Sequence, residues 1–145
     1  MEISTNTLGP VEIDESRIIN FTKPMPGMDT GGSRYALLDL NPESPVKLLQ
    51  SVLDPNICLI VGDPGALVPN YVVDLPKDVS LELELNGLGS AAVLVVLTIL
   101  GDEAGNTTAN LKAPIVVNRK TFKAAQVILS GTNYSMREPI ALKRG

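Results

Sequence analysis

The strongest constraint on the fold is the stretch AAVLVVLTILGDEAGNTTANLKAPIVVN, residues 91–118. Val93–Leu100 is almost wholly apolar and rich in β-branched residues, which favours a strand buried on both faces. A bilayer span needs about 20 residues, so this run is too short to cross a membrane. Turn residues follow, and the chain returns through Thr107–Lys112. Pro114 cannot donate to a sheet ladder, so the stretch predicts a hairpin with a broken second arm, resumed at Ile115–Val117 in an antiparallel sheet.

Short β-rich segments separated by proline and glycine breaks fill most of the remaining chain. The predicted strands are Glu2–Thr5, Val11–Ile13, Arg17–Phe21, Tyr35–Leu40, Val46–Val52, Ile57–Val61, Tyr71–Leu75, Phe122–Leu129 and Tyr134–Met136. Residues 22–32 and 62–69 are expected to be loops. No stretch has the composition of a linker. We therefore expect one all-β domain over residues 1–145, an antiparallel barrel or sandwich with at most one short helix.

Residues 76–86 fit two structures. Val79, Leu81, Leu83 and Leu85 alternate with polar residues, as in a half-buried strand. However, Leu and Glu are good helix formers and Pro76 suits a first helical turn. We favour the helix, because the alternation is brief.

Composition argues against several classes of function. The sequence contains no histidine, so a Ser–His or Cys–His nucleophile and the commonest zinc ligand are both absent. The net charge of −4 and five Tyr and Phe residues argue against direct nucleic-acid binding, which needs clustered cations and stacking aromatics. The single cysteine, Cys58, fits a reducing compartment and is expected to be a small packing residue. With no signal-peptide pattern at the N-terminus, we expect a cytoplasmic, non-enzymatic protein without cofactor or metal.

Candidate contact residues are polar groups at strand ends and in loops, where functional residues gather. The candidates are Asp74, Asp63, Asp54, Gln50, Ser51, Asn110 and Tyr134. Each also has a structural explanation. Asp54 and Asp63 precede prolines, where an aspartate fixes its own turn, and Asp74 is placed to cap the next segment. Asn110 lies in an apolar strand, where it either satisfies backbone groups near Pro114 or faces a partner.

Four motifs in this sequence resemble those of the FliW family of bacterial flagellar assembly factors. They are LQSVLDP at 49–55, YVVDLP at 71–76, TANLKAPIVVN at 108–118 and NYSMREPI at 133–140. They occur in family order over most of the chain, which makes them far more specific together than singly. The resemblance implies a compact, mostly antiparallel β-barrel, with a short helix after YVVDLP. Met28 and Asn70 depart from the family pattern.

The resemblance also implies a function. FliW proteins are not enzymes; they bind the carbon storage regulator CsrA, a basic RNA-binding protein, and relieve its repression of flagellin mRNA translation. They also bind flagellin, which couples flagellin synthesis to export. We therefore expect a protein that is monomeric alone, binds CsrA and flagellin, and has no direct contact with nucleic acid or membrane. A flagellin-specific chaperone without regulator binding and an enzyme of unknown type are the alternatives.

Overall fold

A computed structural model describes residues 1–26, 31–39, 41–99 and 106–140. It is mostly β-structure, with two short helices, α1 (Pro64–Leu67) and α2 (Lys77–Glu82). The strands of the described residues are β1 (Glu2–Thr5), β2 (Gly9–Glu12), β3 (Ile19–Phe21), β4 (Arg34–Asp39), β5 (Val46–Ser51), β6 (Cys58–Gly62), β7 (Ala91–Ile99), β8 (Thr107–Ala109), β9 (Ile115–Asn118), β10 (Lys123–Gln126) and β11 (Glu138–Ile140).

The main sheet closes into a barrel. Its strand order runs β7-β6-β5-β4-β3-β10-β9, and a further pairing of β7 with β9 completes the ring, while β8 and β11 extend from the side of β7. Among the described strand pairs only β3–β10 is parallel. The interior is filled by apolar side chains such as Tyr35, Leu49, Val61, Leu94 and Ile115. The predicted mostly antiparallel β fold is confirmed.

The long strand β7 and its broken partner are the centre of this sheet, as predicted. The second half of β7 pairs with β8, and its first half pairs with β9. Pro114 lies between these two partner strands, where the ladder is interrupted. Leu94 packs inside the barrel and Val95 packs on its outer side, so β7 is buried on both faces. Leu100 and most of the predicted turn lie outside the described residues.

A hairpin of β1 and β2 covers part of the outer barrel wall. Ile3 packs with Ala36, Leu38 and Leu48, which face outward from β4 and β5. Cys58 is half-buried against the same cluster, in the packing role predicted for it, and burial raises the pKa of its thiol.

Three local predictions were wrong. Residues 71–75 form no strand, because the amide and carbonyl of Val72 bond to a side-chain hydroxyl, that of Tyr134, instead of to a neighbouring strand. The last described strand is β11 rather than Tyr134–Met136. The predicted loop 62–69 contains α1, which gives two short helices where at most one was expected.

The ambiguous segment 76–86 contains α2, which confirms the helix over the strand. The helix ends where Glu84 adopts a positive φ of 56°. Leu83, the residue that follows the helix, is fully buried against the outer faces of β9 and β10. None of the helices in the described ranges is both long and apolar enough to cross a membrane.

Candidate partner-binding surface

The turn between β5 and β6 is held by three of the predicted contact residues. Gln50 is completely buried, and its Nε2 donates to four backbone carbonyls of the turn at 3.1–3.4 Å. The buried Ser51 hydroxyl donates to the Gly31 carbonyl at 2.6 Å and accepts from the amides of Leu53 and Asp54. Asp54 accepts from the Asn56 amide at 2.9 Å. These contacts give all three a role in fixing the turn, and neither Gln50 nor Ser51 presents its side chain to solvent.

Asp63 caps the short helix α1. Its carboxylate accepts from the Gly65 amide at 2.9 Å, and Pro64 occupies the first helical position. This arrangement is the turn-fixing role predicted from the Asp-Pro pair. The carboxylate is nevertheless exposed, so it contributes negative charge to the surface as well.

Asn110 supports the break in the second arm of the hairpin. Its side-chain oxygen accepts from the amides of Lys112 and Ala113, both at 3.1 Å. These amides belong to the irregular segment before Pro114, which has no ladder partner for them. The structural explanation of Asn110 is therefore the one that its contacts support.

Tyr71 and Tyr134 fasten the irregular segment 71–76 to the barrel. Their rings meet edge to face, with centroids 4.8 Å apart. The Tyr134 hydroxyl accepts from the Val72 amide at 3.0 Å and donates to the Val72 carbonyl at 3.1 Å. The Tyr71 hydroxyl donates to the Leu111 carbonyl at 2.6 Å, and burial, followed by the nearby Tyr134, raises the pKa of Tyr71 to about 12. In the free protein Tyr134 therefore mainly holds segment 71–76 against the barrel.

Exposed residues of segment 72–82 form a surface that we call the acidic face. It combines exposed apolar side chains with exposed carboxylates, and its members are Val72, Asp74, Asp78, Leu81 and Glu82. The alternate side chains of the same segment, Tyr71, Val73, Leu75 and Val79, pack inward on the barrel. Leu81 is 77% exposed and Val72 is 60% exposed.

Asp74 lies in the middle of the acidic face. It is exposed, and within the described part of the chain it makes no hydrogen bond or ion pair. The expectation that it caps the following helix was wrong, because the N-cap position of α2 is Pro76 and no side chain caps that end. Asp74 is thus the predicted contact residue whose carboxylate is most available to a partner.

Sequence reasoning missed most of the acidic face. Neither Asp78 nor Glu82 is among the contact residues predicted from the sequence. On a helix, Asp78, Leu81 and Glu82 are spaced i, i+3 and i+4 and so share one side, whereas on a strand Leu81 would face away from the two carboxylates. The sequence favours a helix over 76–86, but it does not show which side of that helix packs on the barrel, and this surface was therefore not predicted.

Among the residues at 1–26, 31–39, 41–99 and 106–140, no group of three or more His, Cys, Asp or Glu side chains is placed to hold a metal ion. The buried Asn118, near the end of α2, has a structural role. Its side chain donates to the carbonyls of Leu83 and Glu84 and accepts from the amides of Lys120 and Thr121.

Comparison with known proteins decides the family. The family model described as "FliW protein" matches residues 2–140. The chain belongs to the FliW family. FliW from Bacillus pumilus, named a flagellar assembly factor, is 39% identical over 134 residues, covering 92% of each chain. The flagellar assembly factor FliW from Bacillus velezensis is 36% identical over 140 residues, covering 97% of this chain and 96% of the relative. A crystal structure of the flagellar assembly factor FliW superimposes with a TM-score of 0.88 at 34% identity, over 100% of both chains.

The FliW motifs of this sequence prove to be largely fold-holding residues. Gln50 and Ser51 of the first motif tie the β5–β6 turn. Tyr71 of the second bonds Leu111 of the third, and Tyr134 of the fourth bonds Val72 of the second. The motifs therefore identify the FliW fold strongly, but they say less about which exposed residues meet a partner.

Proposed function

We propose that this protein is a cytoplasmic, non-enzymatic flagellar assembly factor. In this proposal it binds the carbon storage regulator CsrA, relieves repression of flagellin mRNA translation, and also binds flagellin. The observation that carries the proposal is the match to the FliW family over residues 2–140, with relatives named flagellar assembly factor over nearly their whole length. Release of the regulator by free flagellin would couple flagellin synthesis to export.

The acidic face supports a basic protein partner. Asp74, Asp78 and Glu82 are exposed, and none of them pairs with a described cation; Lys77 is the one exposed cation within the segment. The net charge of the whole chain is also negative, at −4. Complementary charge steers the encounter of two proteins, and exposed Val72 and Leu81 would add apolar contact once they meet.

Asp74→Asn tests this surface with the least structural disturbance, since the side chain makes no described contact. Rim charges act mainly on the association rate and its salt dependence. We expect slower CsrA binding at low salt, a flatter salt dependence, and a loss of about 1 kcal/mol or less. Surface plasmon resonance at two ionic strengths, with a melting curve for each variant, measures this.

Glu43→Gln is the matched control, because Glu43 is an exposed carboxylate outside the acidic face. It removes the same charge but should leave the association rate nearly unchanged. Asp54 and Asp63 are poorer test positions, because their loss would loosen a turn or a helix end. Equal effects of Asp74→Asn and Glu43→Gln would mean that only overall charge matters and that the acidic face is not the contact.

Competition with flagellin tests the coupling. Adding purified flagellin to the preformed complex with CsrA should release CsrA. If the protein binds flagellin but never CsrA, the flagellin-specific chaperone replaces the proposed function.

A further inference from the structure

A cleft of about 540 Å³, separate from the acidic face, is lined by the connection between β2 and β3 together with residues of β4, β7 and β9. Its floor is apolar and includes Ile19, Leu37, Leu94 and Val117. Leu37 remains 37% exposed, although its strand neighbours Ala36 and Leu38 are buried on the opposite face. The volume lies within the range of about 300–1,000 Å³ that small-molecule sites occupy.

Most charges at the rim of this cleft are already engaged. Lys47 forms an ion pair with Asp39, and Glu12 forms one with the N-terminal ammonium group of Met1. Asp14 accepts hydrogen bonds from the amide and hydroxyl of Ser16, which lower the pKa of its carboxyl. The carboxylates of the rim are therefore held by groups of the protein itself.

Two arginines at the same rim have no such partner. Neither Arg17 nor Arg119 forms an ion pair with a described carboxylate. The positive charge of Arg17 makes only a minor contribution to the lowered pKa of Asp14. Arg119 donates from Nε to the Ala91 carbonyl at 3.2 Å, and no described group accepts from its two terminal nitrogens. Both side chains are exposed and line the same cleft as the apolar residues, a combination that suits an anion attached to an apolar body.

Phe122 adds a strained aromatic residue to the cleft. Its backbone has a φ of 61°, which is unusual for a bulky side chain. The strained turn is held by its amide, which donates to the Asn118 carbonyl, and by its carbonyl, which accepts from the Asn20 amide, both at 2.9 Å. The ring lines the cleft and packs on the barrel interior. Strain of this kind collects at ligand sites, where the surrounding structure maintains it.

We propose that the cleft binds a small monocarboxylate with an unbranched apolar chain, a medium-chain fatty acid. The chain lies on the apolar floor against Phe122, and the carboxylate meets the guanidinium groups of Arg17 and Arg119. The planar guanidinium fork matches a carboxylate, which is why arginine is favoured for such contacts.

Titration of the full-length protein with decanoate, followed by amide chemical shifts in NMR spectra, tests the site. Saturable shifts should appear around Ile19, Leu37, Leu94 and Phe122. Octanoate should bind roughly tenfold more weakly, because each buried methylene contributes a similar increment of affinity. Decanol, which lacks the charge, should also bind more weakly than decanoate.

The variants Arg17→Gln and Arg119→Gln should each weaken decanoate binding by roughly threefold to tenfold and leave decanol binding unchanged. Arg34→Gln is the matched control, because Arg34 is an exposed arginine of β4 outside the cleft. Melting curves verify that each variant is folded. The proposal is overturned if decanoate shows no saturable shifts at millimolar concentration, if the shifts lie elsewhere, or if the cleft variants bind decanoate like Arg34→Gln.

Discussion

Replacement of Asn118 by alanine is the sharpest test of how this fold is held. Asn118 is only 3% exposed and connects two separate parts of the chain. Its Nδ2 donates to the Leu83 carbonyl at 2.8 Å and to the Glu84 carbonyl at 3.2 Å, at the end of α2. Its Oδ1 accepts from the amides of Lys120 and Thr121 at 2.8 and 3.1 Å, in the turn between β9 and β10.

The expected cost follows from these four contacts. The bond to Leu83 is buried, so alanine leaves an unsatisfied carbonyl that costs about 1–3 kcal/mol. The other three bonds are partly buried, and water can replace them at a cost of about 0.5–1 kcal/mol each. We expect Asn118→Ala to lower the free energy of unfolding by about 3–5 kcal/mol. For a chain of this size the melting temperature should fall by roughly 10 °C.

Urea unfolding followed by circular dichroism measures this loss. Asn118→Asp keeps the acceptor but cannot donate to the two carbonyls, so at neutral pH it should be at least as destabilised as the alanine variant. Asn133→Ala is the control, because Asn133 is exposed and its side chain makes no hydrogen bond in the described part of the chain. A loss below about 1 kcal/mol for Asn118→Ala, or one equal to that of Asn133→Ala, would refute the reasoning.

Two further predictions concern the core and the tyrosines. Val95→Asp should prevent folding, because Val95 is fully buried on the outer side of β7. An unpaired buried charge costs several kcal/mol, which is comparable to the whole free energy of unfolding of a typical domain. A cooperative melt at the wild-type temperature would contradict this. Stability should fall as the pH rises from about 10 to about 12, because the unfolded chain ionises its tyrosines near 10 while Tyr71 keeps its proton to about 12. In Tyr71→Phe the unfolding free energy should decline less steeply over this range, and an unchanged slope would assign the effect to other groups.

Local pattern predicted much of the secondary structure. The β-branched run of β7, the break at Pro114 and the resumed strand β9 all follow from side-chain stiffness and from the missing N–H of proline. The turns at Asp54 and Asp63 could also be predicted, because each aspartate accepts a hydrogen bond from an amide only two residues further along the chain. The four motifs identified the family because they contain many such fold-holding residues.

Other features depended on contacts between distant parts of the chain. The segment 71–75 has the alternation of a strand, yet its backbone bonds to a hydroxyl 62 residues away. Likewise, the parallel pairing of β3 with β10 joins strands about 100 residues apart in the chain, and no local pattern encodes it. The acidic face and the arginine-rimmed cleft depend on these contacts. Packing decides which side chains of segment 72–82 face outward, and it brings the cleft residues together from separate parts of the chain. Sequence alone therefore determined the central broken hairpin, the two Asp-Pro turns and the family. Tertiary structure decided the fate of segments 71–75 and 134–140 and which charged residues remain free to meet a partner.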